Sequence, residues 1–105
     1  MADAILIVED NESLRAGIRV SLEESGYAVQ EAATGEEAVR KLETDPFHVV
    51  VTDIRLGDLT GVDILRKAKE VNSETEVILM TAYATVETAV QALRLGAFDY
   101  IQKPF

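Results

Sequence analysis

Five polar side chains follow apolar segments of the chain, and together they could bind a metal ion and a phosphoryl group. They are Glu9, Asp10, Asp53, Thr81 and Lys103. Three carboxylates held within a few ångströms repel one another, so either some are protonated or a cation lies among them. Two or three carboxylate oxygens suit Mg²⁺, which keeps much of its hydration shell and also binds phosphates. The ammonium of Lys103 can neutralise one phosphate oxygen, and the hydroxyl of Thr81 can donate a hydrogen bond to another.

This set of groups indicates a site for in-line phosphoryl transfer, in which positioning and charge neutralisation supply most of the catalysis. The acceptor would be a carboxylate oxygen, and the product would be an acyl phosphate. Because the adjacent pair Glu9 and Asp10 is better placed to hold the metal ion, we predict that Asp53 is the acceptor.

Apolar strand patterns alternate with helical patterns along the whole chain. Residues 4–8 form a continuous apolar run, which is typical of a strand buried on both faces. Residues 34–37 have the spacing of a capping box at the start of a helix. The predicted strands lie at residues 4–8 and 28–32, from Val49, and at residues 77–80 and 100–101. The predicted helices alternate with them: the first runs from Asn11 to Gly26, the second from Thr34 to Asp45-Pro46, the third follows Gly61, and the fourth is ended by Gly96.

Strict alternation of strands and helices predicts an α/β fold with a parallel sheet and helices on both faces. Five strands favour a flavodoxin-like three-layer sandwich with strand order 2-1-3-4-5, since a barrel needs far more chain. Right-handed crossovers place the first helix on one face and the next three on the other. In such folds the carboxyl ends of the strands form the functional edge, and there the five polar residues would converge.

A fifth helix would be expected after strand five, but the sequence stops at Phe105. We therefore expect one domain over residues 1–105 that is truncated after the fifth strand. The final helix would be missing, and one face of the sheet would be incompletely covered.

The composition excludes several classes of partner. The net charge is -9, from 19 acidic and 10 basic residues, and it repels phosphate backbones and anionic lipids, so no direct nucleic-acid contact is expected. No apolar run could span a bilayer, and the start does not resemble a signal peptide. The lack of cysteine excludes disulfides and thiolate metal sites and favours a cytoplasmic location.

The chain resembles the receiver domain of bacterial two-component response regulators over nearly its whole length. The motifs that carry the resemblance, in the order found in the family, are Glu9-Asp10, Asp53 after an apolar strand, Thr81-Ala82, Tyr100 and Lys103-Pro104. Residues 52–55, 80–83 and 96–105 look most like receivers at the N-terminus of sigma-54-dependent transcriptional activators. Those proteins continue into an ATPase domain and a DNA-binding domain.

The resemblance implies roles for matching residues. Asp53 would receive a phosphoryl group from the phosphohistidine of a sensor histidine kinase. Mg²⁺ would be held by Asp10, Asp53 and the backbone carbonyl of Arg55, with Glu9 acting directly or through water. Lys103 would contact the phosphoryl group. Such a domain is a signalling switch rather than an enzyme, although it helps to catalyse its own phosphorylation and dephosphorylation.

The same resemblance implies how the signal would leave the site. Thr81 would move toward the phosphate, and Tyr100 would change rotamer to fill the space left behind. This would repack the surface of the fourth helix and fifth strand, where such domains usually meet partners. Output domains would follow on the C-terminal side. The resemblance is compatible with both a monomer and a homodimer. The bond between Lys103 and Pro104 is expected to be cis.

Two departures from the common family pattern lie near the site. Glu9 stands where Asp is more usual, and its extra methylene leaves open whether it contacts the metal directly. Residues 56–58 replace a typical Met-Pro-Gly turn, so we expect a more mobile loop with an additional charge near the site.

Other residues favour structural interpretations. We predict that His48 is structural or solvated, and that Arg55 faces solvent, where it could influence the attack of water on the acyl phosphate. By residue type alone, Tyr100 is a half-buried packing aromatic. The stripe of Val86, Ala89, Val90 and Leu93 is predicted to be core.

Alternative functions differ in the residues they need. A phosphatase with an aspartyl-phosphate intermediate resembles this site, but Arg55 stands where such enzymes have an acidic residue, and Arg cannot supply the proton. A receiver-like interaction module without phosphorylation usually lacks the acceptor, Thr or Lys, all of which are present here. Dinucleotide binding is disfavoured because no glycine-rich turn follows the first strand.

Overall fold

The computed structural model describes residues 3–81 and 86–103, in which strands and helices alternate. The strands are β1 (Ala4–Val8), β2 (Ala28–Ala32), β3 (Val49–Asp53), β4 (Glu76–Thr81) and β5 (Asp99–Gln102). The helices are α1 (Glu12–Glu24), α2 (Gly35–Thr44), α3 (Gly61–Val71) and α4 (Val86–Arg94). No helix in the described ranges is long and apolar enough to cross a membrane. Ala82, Pro104 with its expected cis bond, and Phe105 lie outside them.

The five strands form one parallel sheet in the order β2-β1-β3-β4-β5, which confirms the predicted fold class and topology. Strand β1 lies between β2 and β3, with Ile5 beside Val29 on one side and beside Val49 on the other. The chain therefore reverses its direction of winding between β1 and β3. In an open α/β sheet this is where the loops at the carboxyl ends separate and leave room for a ligand.

The starts of α1, α2 and α3 are set by short local interactions, and the sequence predicted the caps of the first two. The side chain of Asn11 accepts a hydrogen bond from the N–H of Leu14 and caps α1. The predicted capping box at α2 is only half formed: Thr34 accepts from the N–H of Glu37, whereas the carboxylate of Glu37 accepts from the N–H of Ala33 instead of that of Thr34. Glu37 thus accepts from the residue before the cap, which is the first residue after β2. A complete capping box forms instead at α3, between Thr60 and Asp63.

The main core lies between the sheet and helices α2 and α3. Its fully buried strand residues include Leu6 and Val8 of β1, Val50 of β3, and Val77 and Leu79 of β4. They pack with buried apolar residues of the helices, which are Ala38, Leu42, Ile64, Leu65, Ala68 and Ala92. This face of the sheet supplies the rigid support behind the strand ends.

The opposite face of the sheet is covered by α1 alone among the described helices. No residue of α1 is fully buried, and its apolar residues Leu14, Ile18 and Leu22 are only half-buried. Val49, Val51 and Ile78 of the adjacent strands are only half-buried on this side. Together with Leu22 they line a shallow apolar groove beside α1. These observations agree with the expectation of an incompletely covered face.

Helix α4 corrects the predicted core stripe. Val90 and Leu93 are 41% and 53% exposed, whereas Ala92 of the same helix is buried. The helix packs along β5 at the edge of the sheet. Among its described side chains that of Ala92 reaches the core, as does Leu95 just past its end, and the outer side has no covering element among the described residues. The side chains of Val86 and Ala89 lie outside the description.

His48 was predicted to be structural or solvated, and it makes a structural hydrogen bond although its side chain is 61% exposed. Its Nδ1 accepts a hydrogen bond of 3.0 Å from the backbone N–H of Ala4, and its own backbone N–H donates to the carbonyl of Ala4 at 2.9 Å. The imidazole therefore extends the pairing of β1 and β3 by one bond at their amino ends. This end of the sheet is opposite the edge at which the acidic residues lie.

Candidate functional site

The predicted site residues meet at the carboxyl edge of the sheet. Glu9 and Asp10 follow β1, and Asp53 ends β3. One carboxylate oxygen from each of these three residues lies within 4.8 Å of the others. Thr81 ends β4 and is buried, and its backbone carbonyl accepts a hydrogen bond of 2.7 Å from the N–H of Lys103. The structure therefore brings together the strand ends that the topology predicted.

Lys103 connects two of the carboxylates. Its Nζ lies 2.6 Å from Oε1 of Glu9 and 3.0 Å from Oδ2 of Asp53. Burial opposes the charge of this ammonium, but the ion pairs with Glu9 and Asp53 outweigh that effect and raise the pKa of Lys103. The lysine is therefore fully protonated at neutral pH and holds a fixed positive charge beside Asp53.

Glu9 is the most deeply buried of the three carboxylates in the cluster. Its side chain is 1% exposed, and its second oxygen, Oε2, is buried without a hydrogen-bond partner among the described residues. Burial raises the pKa of Glu9 to about 7, helped by a hydrogen bond that protonated Glu9 donates to Asp53 and by repulsion between the two carboxylates, although Lys103 acts in the opposite direction. A buried carboxylate oxygen without a donor is costly, and a cation would relieve that cost.

These carboxylates fit a hard divalent cation. The cluster supplies oxygen ligands from Glu9, Asp10 and Asp53, of which Asp10 is exposed and open to water. An oxygen-only set with access to solvent suits an ion that keeps part of its hydration shell. The arrangement is consistent with the metal site of a receiver domain, and the orphaned Oε2 of Glu9 is the observation that supports this fit.

The raised pKa of Glu9 has a consequence for stability. Without divalent cations, the folded chain keeps the Glu9 proton up to pH of about 7, whereas the unfolded chain loses it near the ordinary value of 4.5. The folded state therefore binds more protons in this interval, and its stability should fall as the pH rises from about 4.5 through 7, by up to roughly 3 kcal/mol.

The variant Glu9→Gln cannot titrate, so it should lose this part of the pH dependence. The measurement is the free energy of unfolding by urea between pH 4.5 and 8 in a chelating buffer. The difference between parent and variant should change across the interval. Parallel profiles for the two proteins would show that Glu9 does not titrate there.

The loop after Asp53 is held tightly against the start of α3. The N–H of Arg55 donates to Oδ1 of Asp53 at 3.3 Å, and the hydroxyl of Thr52 donates to the carbonyl of Asp53 at 3.0 Å. Gly61 passes so close that a Cβ there would lie 2.6 Å from the carbonyl oxygen of Asp53 and 2.9 Å from Cα of Ile54. Both are backbone atoms, so the absence of a side chain at Gly61 is a condition of the Asp53 geometry.

We predict that Gly61→Ala is destabilising and Gly17→Ala is not. The alanine at position 61 must displace backbone at the site, and overpacking of this kind costs about 1–3 kcal/mol. A Cβ at Gly17, inside α1, meets nothing within 4 Å, so alanine there should stabilise the chain by up to about 1 kcal/mol. Equilibrium unfolding in denaturant compares the two variants. Equal stabilities would contradict the close approach at Gly61.

Asp58 carries the additional charge that was expected near the site, but its carboxylate is bound elsewhere. Oδ1 accepts from the N–H of Gly35 at 3.0 Å, and Oδ2 accepts from the N–H of Glu36 at 2.9 Å. These backbone hydrogen bonds, first that of Glu36 and then that of Gly35, lower the pKa of Asp58. The loop is thereby fastened to the first turn of α2, where the helix dipole favours a negative charge. The expected mobility of this loop stays a prediction, and these two bonds act against it.

Tyr100 and Thr81 lie on the same side of the sheet. In the register of β4 and β5, Leu79 pairs with Tyr100 and Thr81 pairs with Gln102. Because side chains alternate along a strand, Thr81 and Tyr100 point to the face on which Leu79 is buried. Tyr100 is half-buried and packs against the main core. This placement fits the packing aromatic and also allows the two side chains to affect one another.

Sequence reasoning did not predict the roles of Arg15, Gly61 and Asp58. Nη1 of Arg15 donates a 2.8 Å hydrogen bond to the backbone carbonyl of Glu9, at the edge of the acidic cluster. Every residue has a backbone carbonyl, so the sequence does not indicate which carbonyl a side chain will bind. For Gly61, a glycine at the start of a helix, just after the loop that follows Asp53, was an available signal. For Asp58, the helix that it caps is 22 residues away from it in the sequence, and only the fold brings the two together.

Comparison with known proteins agrees with this geometry. The sequence pattern of the response regulator receiver domain matches residues 5–105. Regulatory protein AtoC of Escherichia coli (strain K12) is 42% identical over 101 residues, which cover 96% of this chain and 22% of AtoC. Transcriptional regulatory protein ZraR of the same strain is 38% identical over 100 residues, which cover 95% of this chain and 23% of ZraR. This chain thus corresponds to a minor part of each relative.

The fold also matches a solved structure that contains a modified site. A response regulator from Burkholderia pseudomallei superposes with a TM-score of 0.92 at 30% identity, covering 98% of this chain and 61% of that chain. That structure contains a phosphorylated aspartic acid, a calcium ion and citrate.

Proposed function

Because this chain belongs to the response regulator receiver domain family, as its motifs predicted, we propose that it is a signalling switch in which Asp53 accepts a phosphoryl group. The donor would be the phosphohistidine of a sensor histidine kinase. The observation that carries the proposal is the position of Lys103, whose Nζ bridges Asp53 and Glu9 inside a cluster of three carboxylates. Such a site can receive negative charge on one carboxylate while a cation is already in place beside it.

In the proposed step, a lone pair of one Asp53 carboxylate oxygen forms the new bond to phosphorus. The phosphorus–nitrogen bond of the phosphohistidine breaks, and its electron pair stays with the imidazole of the kinase. The product is an acyl phosphate on Asp53. Asp53 suits this role because its side chain is 12% exposed, open enough for the donor to approach yet oriented by Arg55 and Lys103.

Residues of the chain would hold the metal ion and contact the transferred phosphoryl group in this step. Asp10, Asp53 and Glu9, with the backbone carbonyl of Arg55, would hold Mg²⁺. When bound, this ion would neutralise charge that develops on the transferred phosphoryl oxygens. Lys103 would contact another of those oxygens as a point charge. Thr81, at the end of the neighbouring strand, would donate a hydrogen bond to a third.

The proposed output is a change of surface around β5 and α4. Phosphorylation replaces the single negative charge of the Asp53 carboxylate with the roughly two negative charges of a phosphoryl group, farther out from the backbone, and shifts an existing equilibrium between two conformations. Thr81 and Tyr100 share one face of the sheet, so movement of Thr81 toward the phosphate would open space for the Tyr100 ring. In a longer cytoplasmic protein, this surface would regulate C-terminal output domains of a transcriptional activator of the sigma-54-dependent type. It could also form a homodimer.

A direct test is to incubate the chain with a small-molecule phosphodonor, with Mg²⁺ or with a chelator, and to record its intact mass. We expect one phosphoryl group to be added in the presence of Mg²⁺ and none with the chelator. A chain that stays unlabelled with Mg²⁺ and with a panel of histidine kinases would instead favour an interaction module without phosphorylation. Sustained hydrolysis of phosphate esters would favour a phosphatase.

A further inference from the structure

Arg15 belongs to α1, outside the acidic cluster, but its guanidinium reaches the cluster's backbone. Nη1 donates to the carbonyl oxygen of Glu9 at 2.8 Å, and Nε donates to Oε1 of Glu31 at 3.2 Å. The side chain is 16% exposed. A charged fork that is mostly buried and bonded at two points has a defined orientation, unlike a solvated arginine.

The carbonyl that Arg15 binds has a special position in the chain. It belongs to the planar peptide group that joins Glu9 to Asp10. On its other side, the N–H of Glu9 donates to the carbonyl of Ala32 in β2 at 3.1 Å. The backbone of Glu9 is therefore fixed by one bond before its Cα and one after it. These two bonds set the directions in which the carboxylates of Glu9 and Asp10 leave the chain.

Glu31 orients the guanidinium from the other side. Its Oε1 binds Arg15, and its Oε2 binds Nη1 of Arg19 at 2.6 Å. The described contacts of Arg19 go to Glu31 and Glu23, on the surface of α1 and β2. Arg15 and Arg19 thus carry the same charge and share one partner, but they differ in the contact to Glu9.

We propose that Arg15 is a positioning residue for the phosphotransfer site: oriented by Glu31, it holds the peptide between Glu9 and Asp10 so that both carboxylates face the bound cation. The inference rests on the proposed function, since it assumes that these carboxylates bind Mg²⁺. It assigns to Arg15 no contact with the phosphoryl group.

Charge and positioning predict opposite effects when Arg15 is removed. Loss of a positive charge near the carboxylates would remove a repulsion that acts on the bound cation. By charge alone, the cation would therefore bind more tightly. Loss of the bond that orients the ligands would weaken it, and outer residues that orient metal ligands typically contribute about 10- to 100-fold to affinity. The sign of the change therefore identifies which role Arg15 has.

The test is the dissociation constant of Mg²⁺, measured by isothermal titration calorimetry on the full chain. We expect Arg15→Gln to weaken binding by about tenfold or more. Arg19→Gln, the matched control, removes the same charge and the same partner and should change binding by about twofold at most. In phosphorylation assays, Arg15→Gln should need more Mg²⁺ but approach the parent's rate when Mg²⁺ is saturating.

Arg15→Lys provides a second variant that keeps the charge and is the safer one for folding. One ammonium cannot reproduce the two-point fork, so we expect Mg²⁺ binding to remain weakened. The inference is wrong if Arg15→Gln binds as tightly as the parent or tighter, if both glutamine variants weaken binding equally, or if lysine restores full affinity. If the parent itself fails to bind Mg²⁺, the proposed function fails, and this inference fails with it.

Discussion

Replacement of Asp53 by asparagine should abolish phosphorylation of the chain. The amide has nearly the shape of the carboxylate and can still accept the hydrogen bond from the N–H of Arg55. It lacks the anionic oxygen that must form the bond to phosphorus. The neighbouring carboxylates of Glu9 and Asp10 remain in place, so a loss of labelling would identify Asp53 itself and not the cluster. The measurement is intact mass after incubation with a small-molecule phosphodonor and Mg²⁺.

Two controls accompany this variant. Asp45→Asn changes a half-buried carboxylate whose partner is the side-chain amide of Gln30, and it should be labelled like the parent. Thermal unfolding should show that Asp53→Asn is at least as stable as the parent, because one of three clustered negative charges is gone. Labelling of Asp53→Asn to the extent of the parent would mean that another residue is the acceptor.

Replacement of Lys103 by methionine should slow phosphorylation by roughly 10²- to 10³-fold, the usual loss when one fixed group that stabilises transition-state charge is removed. Methionine keeps an apolar stem of similar length but leaves the transferred phosphoryl group without its ammonium partner. The rate of labelling at saturating Mg²⁺ and phosphodonor measures the effect. Lys67→Met removes a lysine whose partner is the exposed Glu43 and should leave the rate unchanged.

A double variant separates the chemical role of Lys103 from its structural role. Lys103→Met alone leaves the buried carboxylate of Glu9 without its ion-pair partner, and an uncompensated buried charge distorts its surroundings. Glu9→Gln in the same chain removes that charge. We expect the double variant to recover stability but not the rate. A rate within about twofold of the parent in Lys103→Met, or full recovery in the double variant, would contradict a direct role in phosphotransfer.

Most of the fold follows from local patterns in the sequence. Buried parallel strands are continuous apolar runs, as at residues 4–8, and helix starts such as Asn11 are marked by their caps. Chain order with right-handed crossovers then leaves few topologies to choose from. Convergence of Asp10, Asp53 and Lys103 needed no further information, since each follows a strand in a parallel sheet.

The remaining features depend on which elements pack together, and local patterns do not contain that information. Helix α4 has apolar residues on more than one side, and its place at the sheet edge decides that Ala92 is buried while Leu93 is exposed. The sequence at Glu37 fits a capping box, yet its carboxylate bonds Ala33 because of the path of the β2–α2 connection. Contacts of Arg15 and Asp58 with backbone groups likewise appear only once the chain is folded.

If the proposed function is right, the phosphoryl group resides on Asp53 and on no other residue. Chemical reduction of the labelled chain with borohydride converts a phosphorylated aspartate to homoserine, and peptide mass spectrometry then locates the converted residue. We predict conversion at Asp53 alone, in the peptide that contains Thr52 and Ile54. Conversion at Glu9 or Asp10, or a label that survives on a hydroxyl or imidazole side chain, would contradict it.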